Sequence, residues 1–214
     1  MGKHIHSIDS KILDRIYGHG KGWTFTPANF LDLGSRNAVA SALKRHKASG
    51  LIRQLARGLY DYPRNDSQLG VLSPSSDDVA KALSGRDATR LQPSGAHAAN
   101  LLGLSDQVPM KILYLTDGAS RTVMVGNRQI ILKRTTPRNM ATSGKISGLV
   151  IQALRYLGQT HVDDTLITKL DRRLDADARK QLLKDLHYAP SWIADIMRSI
   201  AEFQDGFNQK SAER

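Results

Sequence analysis

With 214 residues, 40% of them apolar and 24% charged, the chain suits two modest globular domains and is too apolar for wholesale disorder. It has no cysteine, which excludes disulfides, thiolate catalysis and cysteine-ligated zinc, and no run approaches the roughly 18 apolar residues of a membrane span. The formal charge of +11 favours a polyanionic partner, and it is uneven: 11 basic residues face 5 acidic ones in 1–68, 9 face 5 in 69–140, and 11 face 10 in 141–214. Between Arg36 and Arg64 there are seven basic residues and one acid, Asp61. The stretch after Met1 is amphipathic rather than apolar, so no signal peptide is read there and a reducing cytoplasm is the expected location. Aromatic residues are sparse, and the cores are expected to rest mainly on Leu, Ile, Val and Ala.

In chain order, Ile8, Ile12, Leu13 and Ile16 recur at helical spacing behind Ser7 or Asp9, predicting a first helix over 7–16. Gly18-His19-Gly20-Lys21-Gly22 then breaks it. Thr26 as N-cap with Pro27 at the first helical position predicts a short second helix from Ala28 to Leu33, closed by Gly34. Ser35 caps a third helix that runs to about Ser49 and ends at Gly50. That helix has a narrow apolar stripe (Ala38, Val39, Ala42, Leu43), while Arg36, Asn37, Ser41, Lys44, Arg45 and Lys47 occupy the remainder. Next, the runs 51–55 and 59–63 flank a turn containing Gly58 and read as a hairpin, with Arg53 and Arg57 on or near its tip.

Together these elements predict an N-terminal winged helix-turn-helix over residues 1–65, whose third helix enters a major groove and whose hairpin is the wing. Arg36 and Asn37, at the helix N-terminus beside Ser35, are the expected base readers, with Ser41 on the same face. Lys44, Arg45, Lys47, Arg53 and Arg57 are expected to hold phosphates.

Polar residues 66–76 read as a linker, and 77–214 as a second, α+β domain. Short helices are expected over 77–83, capped by Ser75 or Ser76, and over 96–102, opening after the Pro93-Ser94-Gly95 turn. Strands over 112–116, 122–125 and 129–133 form a small antiparallel sheet. Its outward residues Lys111, Arg121, Arg128, Lys133, Arg134 and Arg138 read as scattered surface charge, an added DNA footprint or a seat for an acidic partner. From Ile146 the pattern is helical, with helices ending before Gly158, starting at Asp163 or Asp164, opening at Asp175 or Asp177, and beginning at Pro190. Residues 208–214 read as frayed.

The ordered series Gly34-Ser35-Arg36-Asn37-Ala38-Val39, Ala42-Leu43, Gly50-Leu51-Ile52, 57–63, Pro93-Ser94-Gly95, 98–105, Val108-Pro109 and 114–118 resembles abortive-infection AbiEi-type antitoxins of bacterial type IV toxin–antitoxin systems. The likeness covers about residues 7–160. It implies a repressor of its own operon, acting on an inverted-repeat operator, and a C-terminal domain that counteracts a nucleotidyltransferase-like toxin without needing a stable complex with it. The winged-helix reading adds a homodimer or cooperating monomers on half-sites about one helical turn apart. Two other functions stay open: a stand-alone transcription regulator whose second domain senses a ligand or dimerises, and an antitoxin acting by direct toxin contact.

No enzyme site, cofactor site or metal site is expected. The glycines of 18–22 lack the spacing of a phosphate loop and follow a helix, not a strand. His4 and His6 have no recognisable third metal ligand. Asp163, Asp164, Asp171, Asp175 and Asp177 fall near predicted helix starts, where a carboxylate satisfies free amides, so capping is preferred to magnesium binding or acid/base work.

Overall fold

The structure, a computed structural model, describes residues 7–85 and 89–202; His4, His6 and the tail 208–214 lie outside them. It is a mixed α+β protein built as two compact units, Met1–Thr89 with Arg121–Ile130, and Arg90–Ser120 with Ile131–Arg214.

In the first unit α1 spans Ile8–His19, its start fixed by Ser7, whose side chain accepts from the Ser10 N–H at 3.1 Å. The strand β1, Thr24–Phe25, leaves no recognisable pattern in the sequence. The expected second helix over 28–33 is instead a single 3-10 turn, Pro27–Phe30. Asn29 closes its entry: its Oδ1 accepts from both the N–H and the hydroxyl of Thr26, at 2.9 and 3.2 Å. This reciprocal capping fixes where the turn starts.

The helix α2, Arg36–Ala48, starts at the Ser35 cap, and Gly50 follows it with φ 76°. Strands β2 (Arg53–Ala56) and β3 (Leu59–Asp61) form the hairpin, and β3 is central in an antiparallel sheet of order β1-β3-β2. Arg57 and Gly58 make its turn, and Gly58 takes φ 72°, a conformation that costs glycine little. The core joins Ile12 and Ile16 of α1, Val39, Ala42 and Leu43 of α2, Ile52, and the rings of Phe25 and Phe30. Trp23, Phe25, Phe30 and Tyr60 form an aromatic cluster with centroid separations of 4.6 to 6.1 Å, so the few aromatics are concentrated here rather than absent from the packing.

The segment expected as a linker is partly regular. It holds a small hairpin, β4 (Asn65–Asp66) and β5 (Gly70–Val71), before the helix α3, Ser76–Ser84, with Ser75 as N-cap. Asp66 builds the hairpin turn by accepting from the N–H groups of Gln68 and Leu69, which holds its carboxyl below the usual range. α3 packs on β1 and so belongs to the first unit.

Strand β6 (Leu91–Ser94) occupies residues that read as a turn; it pairs antiparallel with β7 (Lys111–Thr116) in a sheet of order β6-β7-β9-β8, with β8 at Arg121–Val125 and β9 at Arg128–Arg134. Pro93 is tolerated because β6 is an edge strand. The helices α4 (Gly95–Leu101), α5 (Pro137–Met140), α6 (Ile146–Leu157), α7 (Asp164–Asp171), α8 (Ala176–Lys184) and α9 (Ser191–Glu202) complete the chain. Among the described residues, no helix is long and apolar enough to cross a membrane.

The second unit's core is aliphatic, with Ala98 and Leu102 packed among Val150, Leu154, Leu182 and Ile193. Asp163 and Asp175 cap α7 and α8, accepting from Leu166 and Ala178 N–H groups at 2.8 Å each. Asp171 is different from the expected cap: it ends α7 and pairs with Arg179.

Candidate nucleic-acid interface

The apolar and polar faces of α2 follow directly from its 3.6-residue period. Val39, Ala42, Leu43 and His46 are buried on the side of α2 that packs on α1 and the Pro27–Phe30 turn. Asn37, Ser41 and Lys44 lie along the opposite side, flanked by Arg36, Ala40 and Lys47, and all of these are exposed. The small side chains of Ala40 and Ser41 leave the middle of this face low. No acidic residue occurs in α2, nor anywhere from 33 to 60.

The state of these side chains differs one by one. Ser35 accepts from the Ala38 N–H at 3.3 Å, so its oxygen works as the helix cap and keeps its hydroxyl hydrogen and one lone pair for an outside partner. Arg36, Asn37, Ser41, Lys44 and Arg57 have no side-chain hydrogen bond or ion pair among the described residues. Arg45 lies on the flank toward α1, 2.7 Å from Asp9, with its side chain still 62% exposed. Lys47 Nζ donates to Gln54 Oε1 at 2.7 Å, which ties the last turn of α2 to β2. The polar face of the helix and the face of the hairpin that carries Gln54 are therefore one continuous surface.

Arg53 does not belong to it. Side chains alternate along a strand, and Arg53 lies on the face of β2 opposite Gln54. Its Nε and Nη2 grip the two oxygens of Asp61, at 3.1 and 2.5 Å, and Nη2 also donates to the Leu72 carbonyl at 2.9 Å. Asp61 is 1% exposed, and its hydrogen bond raises the pKa of Arg53, so the Nε and Nη2 of this guanidinium serve the fold. The cause is a register shift. Ala56 faces Leu59 across the turn, but between Gln54 and Ala56 the ladder slips by one residue and sets Arg53 opposite Asp61. Counted back from the turn without that bulge, Arg53 would face Tyr62.

Arg57 sits in the hairpin turn, exposed. Gln54 and His46 join the site without having been expected there. Gln54 matters as the link to Lys47, and alternation from Arg53 is the signal in the sequence that points to it. His46 lies behind the exposed face, 3.4 Å from Asp9, and its burial pushes the imidazole pKa below the ordinary value against the pull of that carboxylate. A neutral His46 adds no charge to the surface. Of the sheet's basic residues, Arg121 and Arg128 fall in the first unit, and Arg138 donates to the His187 carbonyl at 3.1 Å.

This arrangement defines a class: an α+β protein presenting unpartnered donors of one charge sign on an exposed helix and an adjoining hairpin turn. The chain belongs to a family of unknown function, DUF6088, whose model matches residues 11–182. That stretch contains the whole of α2 and the hairpin. No curated protein matches the chain.

Proposed function

We propose that the chain is a DNA-binding repressor and antitoxin: the first unit is a winged helix-turn-helix, α2 is its recognition helix, and the β2–β3 hairpin is its wing. The observation that carries this reading is the set of side chains without partners among the described residues, Arg36, Asn37, Ser41 and Lys44 on one helix face, with Arg57 in the hairpin turn and Lys47 bridging helix to strand through Gln54. Cations held near one another cost free energy through mutual repulsion, and a carboxylate nearby would relieve it. Among the described residues the fold supplies one to Arg45, through Asp9, and to Arg53, through Asp61, but none to Arg36, Lys44, Lys47 or Arg57. Duplex phosphates, one per ~1.7 Å of axis, relieve the repulsion and release counterions.

In this reading Arg36 and Asn37 enter the major groove first and read base edges, Arg36 toward guanine and Asn37 toward adenine. Lys44, Lys47 and Arg57 neutralise backbone phosphates. Arg45 spends one Nη2 hydrogen bond on Asp9 and keeps its other donors for a phosphate, while Ser35 keeps its hydroxyl proton and one lone pair. The antitoxin role, an inverted-repeat operator and a nucleotidyltransferase-like toxin rest on the resemblance in residues 34–118.

Two measurements test it. Anisotropy titrations with duplexes spanning the upstream region of the chain's own gene are expected to give sequence-selective binding. The double variant Arg36→Ala/Asn37→Ala then loses about 1–3 kcal/mol of discrimination per lost base contact. Selective binding that survives the double substitution would reassign the base readers, and no duplex binding at all would remove the reading. Co-expression with the product of the neighbouring gene separates antitoxin from plain regulator: growth is rescued in the first case and unaffected in the second.

A further inference from the structure

A cleft of about 590 Å³ lies within the first unit, walled by the end of β3, the segment from Leu72 to α3, and the β8–β9 turn. Its size is in the range that takes a small polar ligand. Arg64 and Arg128 both line it, contributed by segments far apart in the sequence. Neither has a side-chain hydrogen bond or ion pair among the described residues. Ser73, Ser76 and Asn127 add further hydrogen-bonding groups on the same walls.

The two carboxylates of the lining are already engaged. Both oxygens of Asp61 are taken by Arg53, and Asp78 accepts from the Ser75 hydroxyl at 2.6 Å while its N–H is capped by the same serine. With Arg53 cancelling Asp61, the remaining charges of the lining are Arg64 and Arg128 against Asp78, a formal surplus of one positive charge, with Asp66 attracting Arg64 from outside the lining. Two planar guanidiniums with free donors, hydroxyls and an amide suit a tetrahedral oxyanion better than a carboxylate-free apolar ligand. A surplus of only one charge suits a single phosphate rather than a polyphosphate.

We propose that this cleft is a phosphate site for one nucleotide unit, held between Arg64 and Arg128. The phosphate has two possible sources, a free nucleoside monophosphate or a strand of the duplex proposed for α2. The second source rests on that reading of α2, while the first stands apart from it.

The test uses the full chain, with 5′-AMP and inorganic phosphate as probes, following the side-chain Nε–Hε signals of Arg64 and Arg128 by NMR. A parallel arm measures affinity for a duplex of arbitrary sequence as salt is raised. Both arms compare wild type with Arg64→Gln and Arg128→Gln, exposed positions at which the fold has nothing to lose, and with Lys44→Ala. For a free nucleotide, AMP shifts both signals saturably, either substitution weakens it about tenfold or more, and Lys44→Ala leaves it unchanged. For a strand phosphate, AMP has no effect, but each arginine substitution lowers the salt slope of duplex binding by about 0.9. The site is overturned if AMP leaves both signals unmoved and both arginine variants keep the wild-type slope. It is equally overturned if AMP is silent and no duplex binds. Loss of the slope change in Lys44→Ala alone, with the AMP response intact, would sink the reading of α2 and spare the cleft.

Discussion

On the first unit's hairpin Arg57 stands exposed in a turn with no side-chain partner among the described residues. In the second unit Arg179 of α8 is 6% exposed and directs its donors at the Asp171 carboxylate, the Asp171 carbonyl and the Ile200 carbonyl. The same guanidinium faces outward in one region and serves the fold in the other. Buried charge is expensive unless fully paired, so pairing marks a cation as structural, whereas an exposed cation with no partner costs the fold almost nothing to keep or lose. Arg53, four residues from Arg57, falls on the structural side of that line. Count of charge therefore says less about an interface than the state of each charge.

The contrast is open to attack at several points, the largest effects coming from the paired side. Asp185 is 3% exposed and accepts from Ser147, Gln181 and Lys145. Asp185→Ala and Arg179→Ala should each lose about 3–5 kcal/mol in denaturant unfolding, with duplex affinity of the folded protein unchanged. A loss below about 1 kcal/mol would show that these clusters are not holding the second unit. Arg53→Ala should lose about 3 kcal/mol, because Asp61 is left buried without its partner. If Arg53→Ala instead keeps its stability and weakens DNA binding, the assignment of that arginine to the fold is wrong.

Gly148 tests close approach rather than charge. A Cβ there would overlap the Thr142 carbonyl oxygen and lie 2.5 Å from Gln92 Oε1, and the first of these is backbone that cannot swing aside. Gly148→Ala should therefore destabilise by about 1–3 kcal/mol, read as a lower denaturant midpoint. The pH dependence is smaller. Burial alone would push the Asp185 carboxyl up, but its hydrogen bonds from Ser147, Gln181 and Lys145 outweigh it and hold the pKa below the usual range. A depressed folded-state pKa gives stability that is present above the unfolded value, near pH 4, and is lost as pH falls through the folded one. The midpoint of Asp185→Asn, already low, should change less between pH 5 and pH 3 than that of wild type. Smallest of all, Lys44→Ala and Arg57→Ala should alter stability by no more than about 0.5 kcal/mol.

Much of the fold is legible in the sequence because it is locally encoded. Ser7, Ser35, Asp163 and Asp175 each cap the helix that their position announces, and Gly58 sits in the hairpin turn with the positive φ that glycine supplies. The exposed face of α2 is legible too, since a single helix's period separates Asn37, Ser41 and Lys44 from Val39, Leu43 and His46. What escapes depends on partners distant in the chain. β1 is two residues long, too short to show alternation, and exists because Thr24 and Phe25 pair with Asp61 and Tyr60. β6 carries a proline that reads as a turn until its edge position is known. The hairpin β4–β5 hides in polar residues that resemble a linker. Arg53 departs from its expected place near phosphate because one bulge moves it opposite Asp61, and no local pattern announces a bulge.

The most direct measurement is the salt dependence of duplex affinity for wild type and for Lys44→Gln/Arg57→Gln, two substitutions at exposed side chains with no partner among the described residues. The log–log slope should fall by about 0.9 for each phosphate contact removed, with the unfolding midpoint unchanged. An unaltered slope in a folded double variant would mean that the open face of α2 and the hairpin turn do not meet DNA.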